Sequence, residues 1–211
     1  DKYGCSEEIA SICCMLSSGN TIFYRPKDKL ELAQHAHATF HLGAVGDHIA
    51  LLNVYNQWKE SEFSTQWCYE NFVQVRSMKR ARDIRDQLVS LLERVEIDLK
   101  SDKSNVETIR KCITAGFFYH TAKLQNNGSY RTVKNPQTVN IHPGSGLSKE
   151  LPRWVVYHEL VFTTKEYMRQ VVEIKPEWLV EIAPHYYKKK EIEDGAGGGK
   201  MPIGRGKAGM A

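Results

Sequence analysis

Residues 152–171, PRWVVYHELVFTTKEYMRQV, contain two strand-like runs separated by Thr163 and Thr164. Both runs are rich in β-branched and aromatic residues, which favour extended backbone. Two earlier runs of the same kind, FFYHTAKL and SYRTV, flank QNNG, in which Asn127 and Gly128 can adopt the positive φ of a hairpin turn. A fifth run is QTVNIHP. The sequence therefore predicts a small barrel of five short strands.

Helical periodicity dominates the chain before these strands. Capping residues at the start of apolar periodic runs, such as Ser6, Asp28, Asp47, Ser64 and Ser77, predict four or five helices between residues 6 and 99. A polar segment at 100–105, KSDKSN, indicates a boundary. One more helix, capped by Asn105, then precedes the strands, and Pro176 begins a closing helix.

These patterns predict an α+β protein with two domains and a tail. The first domain, residues 1–104, is helical, and the second, residues 105–187, is a five-stranded barrel of the oligonucleotide-binding fold. Residues 188–211 are charged and then glycine-rich, so we expect a flexible tail that buries no core.

Composition narrows the class of protein only partly. The chain has 211 residues and a formal net charge of +4, which permits a polyanionic partner without requiring one. Five cysteines without a C-x-x-C pair indicate reduced thiols in a nucleus or cytosol. No apolar run approaches the roughly 18 residues of a membrane span. The first residues lack an initiator Met and a signal-peptide layout, so we expect a fragment of a longer protein.

No pattern in the chain predicts a catalytic or metal site. Gly199 and Lys200 are followed by Met201, which does not fit a phosphate-binding loop. His37 and His41 share a helical face, but no Cys or carboxylate lies at a spacing that would complete a zinc site. The segment HPGSGLS is not a nucleophile elbow and is interpreted as a barrel loop. We predict no catalytic residue and no metal ligand.

Cations crowd the first half of the helix predicted from Ser77. Arg76, Lys79 and Arg80 lie near a helix N-terminus, where positive charge opposes the helix dipole. A polyanion facing them would explain their position. Asp83 and Asp86 are possible partners within the helix, so a solvated face remains an alternative.

The barrel region interleaves aromatic rings with cations. In proteins that bind single-stranded nucleic acid, cations follow the phosphates, rings stack on bases and hydroxyls fix the backbone. We therefore predict RNA contacts at Tyr130, Arg131, Lys134, Arg153, Thr163, Thr164, Lys165, Tyr167 and Arg169.

Alternation along the last two strands predicts which side chains enter the barrel. In the first strand the bulkier row, expected inside, comprises Trp154, Val156, His158 and Leu160. In the second strand we expect Met168 and Val172 inside. Lys165, Tyr167 and Arg169 then form one outward row, spaced to follow an extended single strand.

Several segments together resemble the C-terminal region of DEAH-box RNA helicases. They are GDHIALLNVYNQW, QWCYENFVQVRSMKRARDIRDQL, ITAGFFYHTAKL, YRTVKNPQTVNIHPGSGL, WVVYHELVFTTKEYMRQV and EWLVEIAPHYY. The resemblance runs from about residue 4 to residue 187. It is strongest to the pre-mRNA-splicing member of the family that acts just before the first splicing step.

The resemblance implies a helical ratchet-like domain followed by an oligonucleotide-binding barrel, in a nuclear protein. In the family, single-stranded RNA passes between these domains and a RecA-like motor that carries the ATP and Mg²⁺ sites. The motifs of that motor do not occur in this chain, so we expect no cofactor and no ATPase activity here.

Two functions remain open at this stage. The chain could guide single-stranded pre-mRNA for a helicase, next to the RecA-like motor and winged-helix domains of the same protein. Alternatively, it could be a platform on which a G-patch activator or another spliceosomal protein docks, with little RNA contact of its own.

Overall fold

The computed structural model describes residues 1–18, 22–43, 45–103 and 105–193. Its helices are α1 (Ser6–Ser17), α2 (Leu30–His41), α3 (Asp47–Glu60), α4 (Thr65–Glu70), α5 (Val75–Arg94), α6 (Val106–Phe117), α7 (Pro176–Ile182) and α8 (Lys189–Glu193). Its strands are β1 (Thr121–Leu124), β2 (Tyr130–Thr132), β3 (Thr138–Ile141), β4 (Trp154–Phe162) and β5 (Glu166–Glu173). None of the described helices is long and apolar enough to span a membrane.

The five strands close into a barrel in the order β1-β2-β3-β5-β4, and β4 pairs back with β1. All pairs are antiparallel except β3 with β5. Closure leaves no free sheet edge to attract another strand. The predicted α+β architecture, helices followed by a five-stranded barrel, is confirmed.

Capping explains some helix starts and not others. As predicted, Ser64 caps α4 by accepting the Trp67 N–H at 3.2 Å, and Asn105 caps α6 by accepting the Thr108 N–H at 3.1 Å. The prediction for Ser77 is wrong, because α5 begins two residues earlier, at Val75, and Ser77 is buried inside it. Asp47 begins α3, but its side chain makes no cap and bonds to the barrel instead.

The helical bundle and the barrel each have a core, and a third core joins them. The bundle core is built around Trp58, Phe40 and Met78, which are fully or almost fully buried. The third core lies outside the barrel wall, where Trp154 of β4 and Trp178 of α7 share one cluster with Ile12 of α1 and Ile49 of α3. The two predicted domains therefore share a continuous apolar contact.

The predicted inner row of β4 is wrong for Trp154 and Val156, whereas Leu160 packs against the barrel core as predicted. Val155 and Tyr157 fill the barrel, whereas Trp154 and Val156 face the helices. Trp154 is bulky and apolar because the outer face of β4 is also buried, against the helices. The prediction from alternation had assumed that this outer face was exposed to solvent. A strand covered on both faces carries apolar residues in both rows, so bulk alone cannot decide which row is inner.

A local twist in β5 also changes the predicted faces. Gln170 has φ +53°, in the left-handed region, so the strict alternation of faces is interrupted there. Met168 and Val171, three residues apart, both enter the barrel core, and Val172 faces the helices. The prediction for Met168 is confirmed, and the prediction that Val172 shares its core is wrong.

The predicted tail begins with ordered structure. Lys189–Glu193 form α8, and Ile192 is 8% exposed within the core that joins barrel and helices. The prediction of a flexible segment is therefore wrong for residues 189–193. The rest of the predicted tail, residues 194–211, lies outside the described residues.

Candidate nucleic-acid interface

A cleft opens where the helical bundle meets the barrel. The bundle contributes Phe23, Arg25 and His41, and the barrel contributes His142 and Arg169, with the backbone of residues 144–145 between them. Its volume is about 150 Å³, below the roughly 300 Å³ at which small-molecule pockets begin. The cleft therefore suits one group of a polymer, such as a phosphate, better than a whole small molecule.

Asp47 holds the two walls of this cleft together. The carboxylate is 6% exposed and accepts three hydrogen bonds from the barrel. Ser145 Oγ and the Val171 N–H donate to Oδ2 at 2.5 and 2.9 Å, and the Gly146 N–H donates to Oδ1 at 2.9 Å. Because its acceptor sites are occupied from within the protein, Asp47 serves structure and is not placed to act on a ligand.

Gly46, just before α3, lets the bundle approach β5 closely. It forms a bridge with Val172, and the Glu173 N–H donates to the Val45 carbonyl at 3.0 Å. A Cβ at Gly46 would lie 2.6 Å from Val172 Cα, and the φ of +150° is one that L residues rarely adopt. Position 46 therefore requires glycine, and the contact fixes where α3 starts relative to the barrel.

Two imidazoles give the cleft neutral hydrogen-bonding groups beside its arginines. Burial lowers the pKa of His41 and of His142, so both rings are neutral at pH 7. The Gly144 N–H donates to Nδ1 of His142 at 3.0 Å, which places the ring proton of the neutral form on Nε2. The cleft thus combines the permanent charges of Arg25 and Arg169 with a donor of fixed tautomer.

The hairpin of β4 and β5 extends beyond the cleft and carries five of the predicted RNA contacts, three of them exposed. Thr163, Thr164 and Lys165 form its tip, closed by a hydrogen bond from the Thr163 N–H to the Lys165 carbonyl at 3.0 Å. Tyr167 is half-buried, with its ring centroid 5.7 Å from that of His142. Arg169 follows at the cleft itself. These five residues therefore lie along one line from tip to cleft.

Phe162, at the same tip, was not predicted. The Phe162 side chain is 72% exposed, which is a large exposed fraction for an aromatic residue in a strand. Its neighbours Thr163 to Lys165 are polar and exposed, so the ring stands alone on the hairpin. An isolated exposed ring beside hydroxyls and a cation is the arrangement used for base stacking. In the sequence, the signal for an exposed Phe162 was its position directly before the turn residues.

Two of the predicted contacts are contradicted by burial and pairing. Tyr130 is fully buried in the barrel core and donates its hydroxyl to the Pro152 carbonyl at 2.6 Å, so it cannot stack on a base. Lys134 lies 2.8 Å from Glu191 Oε1 and packs over the rings of Tyr186 and Tyr187. Its charge fastens α8 to the barrel. The sequence alone did not indicate either interaction, because the partners, Pro152 and Glu191, are distant in the chain.

Arg131 and Arg153 are both exposed but differ in their distance from the hairpin tip. Lys123 pairs with Arg131 across β1 and β2, and the positive charge of Arg153 adds to burial in lowering the pKa of Lys123. Arg153 precedes β4, whose nine residues span about 30 Å to the hairpin tip. Arg153 and the hairpin tip therefore do not form one surface. Arg131 lies nearer the tip, because it pairs with Thr138 of β3 and the neighbouring Gln137 donates to Glu166 Oε2 at 2.7 Å.

The cations of α5 are exposed, as the RNA-facing prediction requires. Arg76, Lys79 and Arg80 lie on the solvent side, whereas Arg85 donates to Ser11 Oγ at 2.9 Å and serves the bundle. The segment before α5 is tied to the chain that leads into the cleft, since the Gln74 N–H donates to the Ile22 carbonyl at 2.8 Å. Phe23 also forms a backbone bridge with Val73, just before α5. The start of α5 therefore lies next to the cleft wall formed by Phe23 and Arg25.

The histidines that suggested metal spacing have separate environments. His37 is buried, with Nε2 2.9 Å from the Phe72 carbonyl and its ring 4.3 Å from that of Phe23. His41 faces the cleft, and His35 is exposed. His48, by contrast, is fully buried, and neither ring nitrogen has a partner in the described structure. Burial, together with His158, lowers the pKa of His48 to about 3, so it is neutral.

Comparison with known families identifies the barrel region. Residues 109–186 match the model of a family described as an oligonucleotide/oligosaccharide-binding (OB) fold. The matched range begins in α6, contains all five strands and ends after α7, in agreement with the closed barrel. In barrels of this fold, the loops between strands 1 and 2 and between strands 4 and 5 contribute to nucleic-acid binding. The tip at Thr163 to Lys165 is the second of these loops.

Proposed function

We propose that this chain is the C-terminal accessory region of an ATP-dependent DEAH-box RNA helicase and guides single-stranded RNA. The observation that carries the proposal is the line from the exposed hairpin tip to the arginine-lined cleft. Phosphates meet Lys165, Arg169 and Arg25, and bases stack on Phe162 or Tyr167. The resemblance to the helicase family and the match of residues 109–186 to an OB fold support it.

The proposal extends to the setting of the full protein. RecA-like motor and winged-helix domains supply the ATP and Mg²⁺ sites, and the whole acts in the nucleus on pre-mRNA during spliceosome remodelling. The role of this chain is then to hold the strand that leaves or enters the motor. Such contacts are tolerant of base sequence, because every base has a stacking face and every nucleotide a phosphate.

Anisotropy of a labelled uridine oligonucleotide of about 12 nucleotides tests the proposal. Replacing Arg25 and Arg169 with alanine should weaken binding about tenfold and reduce the salt dependence of the binding constant by about 1.4 in logarithmic slope, since each single-strand phosphate contact contributes about 0.7. Arg94→Ala with Arg153→Ala is the matched control, because it removes the same charge from exposed residues that do not line the cleft.

Three outcomes of this comparison are distinguishable. Near-normal affinity in the control with loss in the cleft variant supports the proposed path. Equal losses would mean that the whole basic surface acts without a defined path, and unchanged affinity in the cleft variant would refute the proposal.

A second candidate function, docking of a G-patch activator or another spliceosomal protein, is favoured by a separate groove. Trp154, Ile174, Pro176, Val180 and Ile192 form its apolar lining, and its volume is about 620 Å³. That volume lies within the range of binding pockets, and the lining suits an apolar peptide side chain. Charged residues such as Glu177 and Glu181 surround it.

A synthetic G-patch peptide tests the docking function. Val180→Asp should abolish its binding, while Leu91→Asp, an equal change at an exposed apolar residue of α5, should not. Peptide binding that survives Val180→Asp would remove the groove from consideration. Because neither change touches the cleft, RNA affinity should stay the same in both variants.

A further inference from the structure

Gln170 interrupts the regular course of β5. Its φ of +53° lies in the left-handed region, which is uncommon for a residue that carries a side chain. The pairing of β4 with β5 runs from Val155 to Phe162 and is broken at His158, which lies opposite Gln170. The two strands therefore give up one step of regular geometry at this residue.

The left-handed backbone explains how two consecutive side chains reach the same cleft. Successive residues of a regular strand point to opposite faces of the sheet. Arg169 and Gln170 nevertheless both line the cleft between the bundle and the barrel. An arginine and an amide thus lie next to each other on one wall.

The twist also has a structural role, but that role does not account for the glutamine side chain. The Val171 N–H, directly after the twist, donates to Asp47 Oδ2 at 2.9 Å. Glycine at position 170 would allow the same backbone at lower cost, because glycine adopts positive φ without a steric penalty. Within the described ranges, the amide of Gln170 has no hydrogen-bond partner. Strained residues of this kind cluster at ligand sites.

RNA carries a suitable group beside each phosphate. The 2′-hydroxyl is on the ribose carbon next to the one that bears the 3′-phosphate, and it both donates and accepts hydrogen bonds. An amide offers two donors and one acceptor, so it can satisfy such a hydroxyl in either direction. The cleft, with a volume of about 150 Å³, suits groups of this size better than a whole small molecule. A phosphate bound by Arg169 therefore brings its neighbouring 2′-hydroxyl to Gln170.

We propose that Gln170 is the residue by which this chain distinguishes RNA from DNA, through a hydrogen bond to the 2′-hydroxyl next to the phosphate that Arg169 binds. The inference rests on the proposed function, because it requires a single strand in the cleft. It adds a discrimination that the other contacts do not supply. Cations and stacking rings bind RNA and DNA alike, whereas an amide that contacts the ribose does not.

Three uridine oligonucleotides of about 12 nucleotides separate a hydroxyl contact from other differences between RNA and DNA. They carry a hydroxyl, a fluorine or a hydrogen at the 2′ position. The 2′-fluoro sugar keeps the ring pucker of RNA but donates no hydrogen bond. In anisotropy titrations, the unaltered chain should bind the ribose form about five- to tenfold more tightly than either analogue, the effect expected for one hydrogen-bonded group. Equal binding of the ribose and fluoro forms would assign the preference to ring pucker and overturn the proposal.

Two variants of Gln170 separate the amide from the strained backbone. Gln170→Met keeps nearly the same length without an amide, and should bind all three oligonucleotides about equally. Gln170→Gly should lose the preference as well, while the melting temperature does not fall, because glycine relieves the strain. Gln87→Met, the same change at an exposed glutamine of α5, is the matched control and should keep the preference for the ribose form.

The outcomes distinguish this inference from the proposed function. If the unaltered chain binds none of the oligonucleotides, both are wrong. If it binds all three equally well, a strand can still follow the proposed path, and only the role of Gln170 is refuted. A preference for ribose that persists in both Gln170 variants would also refute that role and assign the discrimination to other residues.

Discussion

The two ends of the barrel use their charged residues in opposite ways. At the end near α7, which we call the groove end, cations hold the structure together. Arg110 donates to the Glu173 carbonyl at 2.8 and 2.6 Å and lies 5.2 Å from the centre of the Trp178 ring. Lys175 pairs with Glu107 at 2.7 Å.

At the cleft end, a carboxylate does the holding. Asp47 takes three hydrogen bonds from the barrel, and within the described ranges no ion pair engages Lys165 or Arg169. Because the bundle is attached through an anion, the cations of this end remain available to a polyanion. Under the proposed function, lysine and arginine therefore stabilise the structure at one end and contact a ligand at the other, which is the difference that the predictions below test.

The largest expected effect is on the cleft end. Asp47→Ala leaves three donors without an acceptor, two of them buried, so the free energy of unfolding should fall by about 3 to 4 kcal/mol. Urea denaturation measures it, with Asp28→Ala, an exposed carboxylate, as control. A loss below about 1 kcal/mol would mean that Asp47 does not hold the two halves together.

At the groove end, loss of a cation should also lower the free energy of unfolding. Arg110→Ala removes two hydrogen bonds to a backbone carbonyl and the packing over Trp178, and should lower the free energy of unfolding by about 2 to 3 kcal/mol. RNA affinity per folded molecule should be unchanged. A variant that keeps full stability but binds RNA less well would reverse the assignment of the two ends.

Mild acid should loosen the contact near Asp47 before it affects the groove end. The pKa of His48 is about 3 in the folded state and about 6.5 unfolded, so the unfolded chain takes up a proton that the folded chain refuses. The contribution of His48 to the free energy of unfolding is complete above pH 6.5. At lower pH this contribution decreases, by about 2 kcal/mol at pH 5. Pairing lowers the pKa of Glu107 and Glu191, so the Lys175 and Lys134 ion pairs persist at that pH.

Urea midpoints between pH 7 and pH 5 measure this loss, and His48→Phe should flatten the profile. An identical pH dependence in the variant would assign the acid sensitivity to other groups. Hydrogen exchange at pH 5 locates the change, with faster exchange expected in the first turns of α3 than in α7.

Removal of the exposed cations at the cleft end should affect binding and not folding. Lys165→Ala with Arg169→Ala should weaken RNA binding five- to tenfold, which is about 1 kcal/mol, and shift the melting temperature by no more than a few degrees. Lys134→Ala is the control from the groove end and should leave affinity unchanged. If the double variant unfolds the barrel while affinity per folded molecule is kept, the row is structural.

The smallest effect is expected at α5. Changing Arg76, Lys79 and Arg80 to alanine should weaken RNA binding by less than about 1 kcal/mol for each residue, because exposed cations act through screened attraction. Folding should be almost unaffected. Unchanged affinity in the triple variant would favour the solvated-face alternative for this helix.

Much of the architecture was predictable because it depends on local chemistry. The turn at QNNG forms with Gly128 at φ +82° and the Asn127 side chain accepting the Ser129 N–H, as residues of these types favour. The caps at Ser64 and Asn105 and the five strands follow the same logic. The site was less predictable. Thr163 and Thr164 were predicted at the turn and Lys165 on the outward row, and all three are exposed, whereas Tyr130 and Lys134 are held by partners distant in the chain.

The sequence by itself determined the kinds of element, their order and the barrel, because periodicity, turns and caps act over a few neighbouring residues. Only the tertiary structure decided which row of β4 faces inward, since helices cover the other face, and where β5 twists, at Gln170. It also decided which cations are held by packing and ion pairs within the protein and which stay exposed. That choice depends on whether a distant residue, such as Glu191 for Lys134, arrives within hydrogen-bond reach.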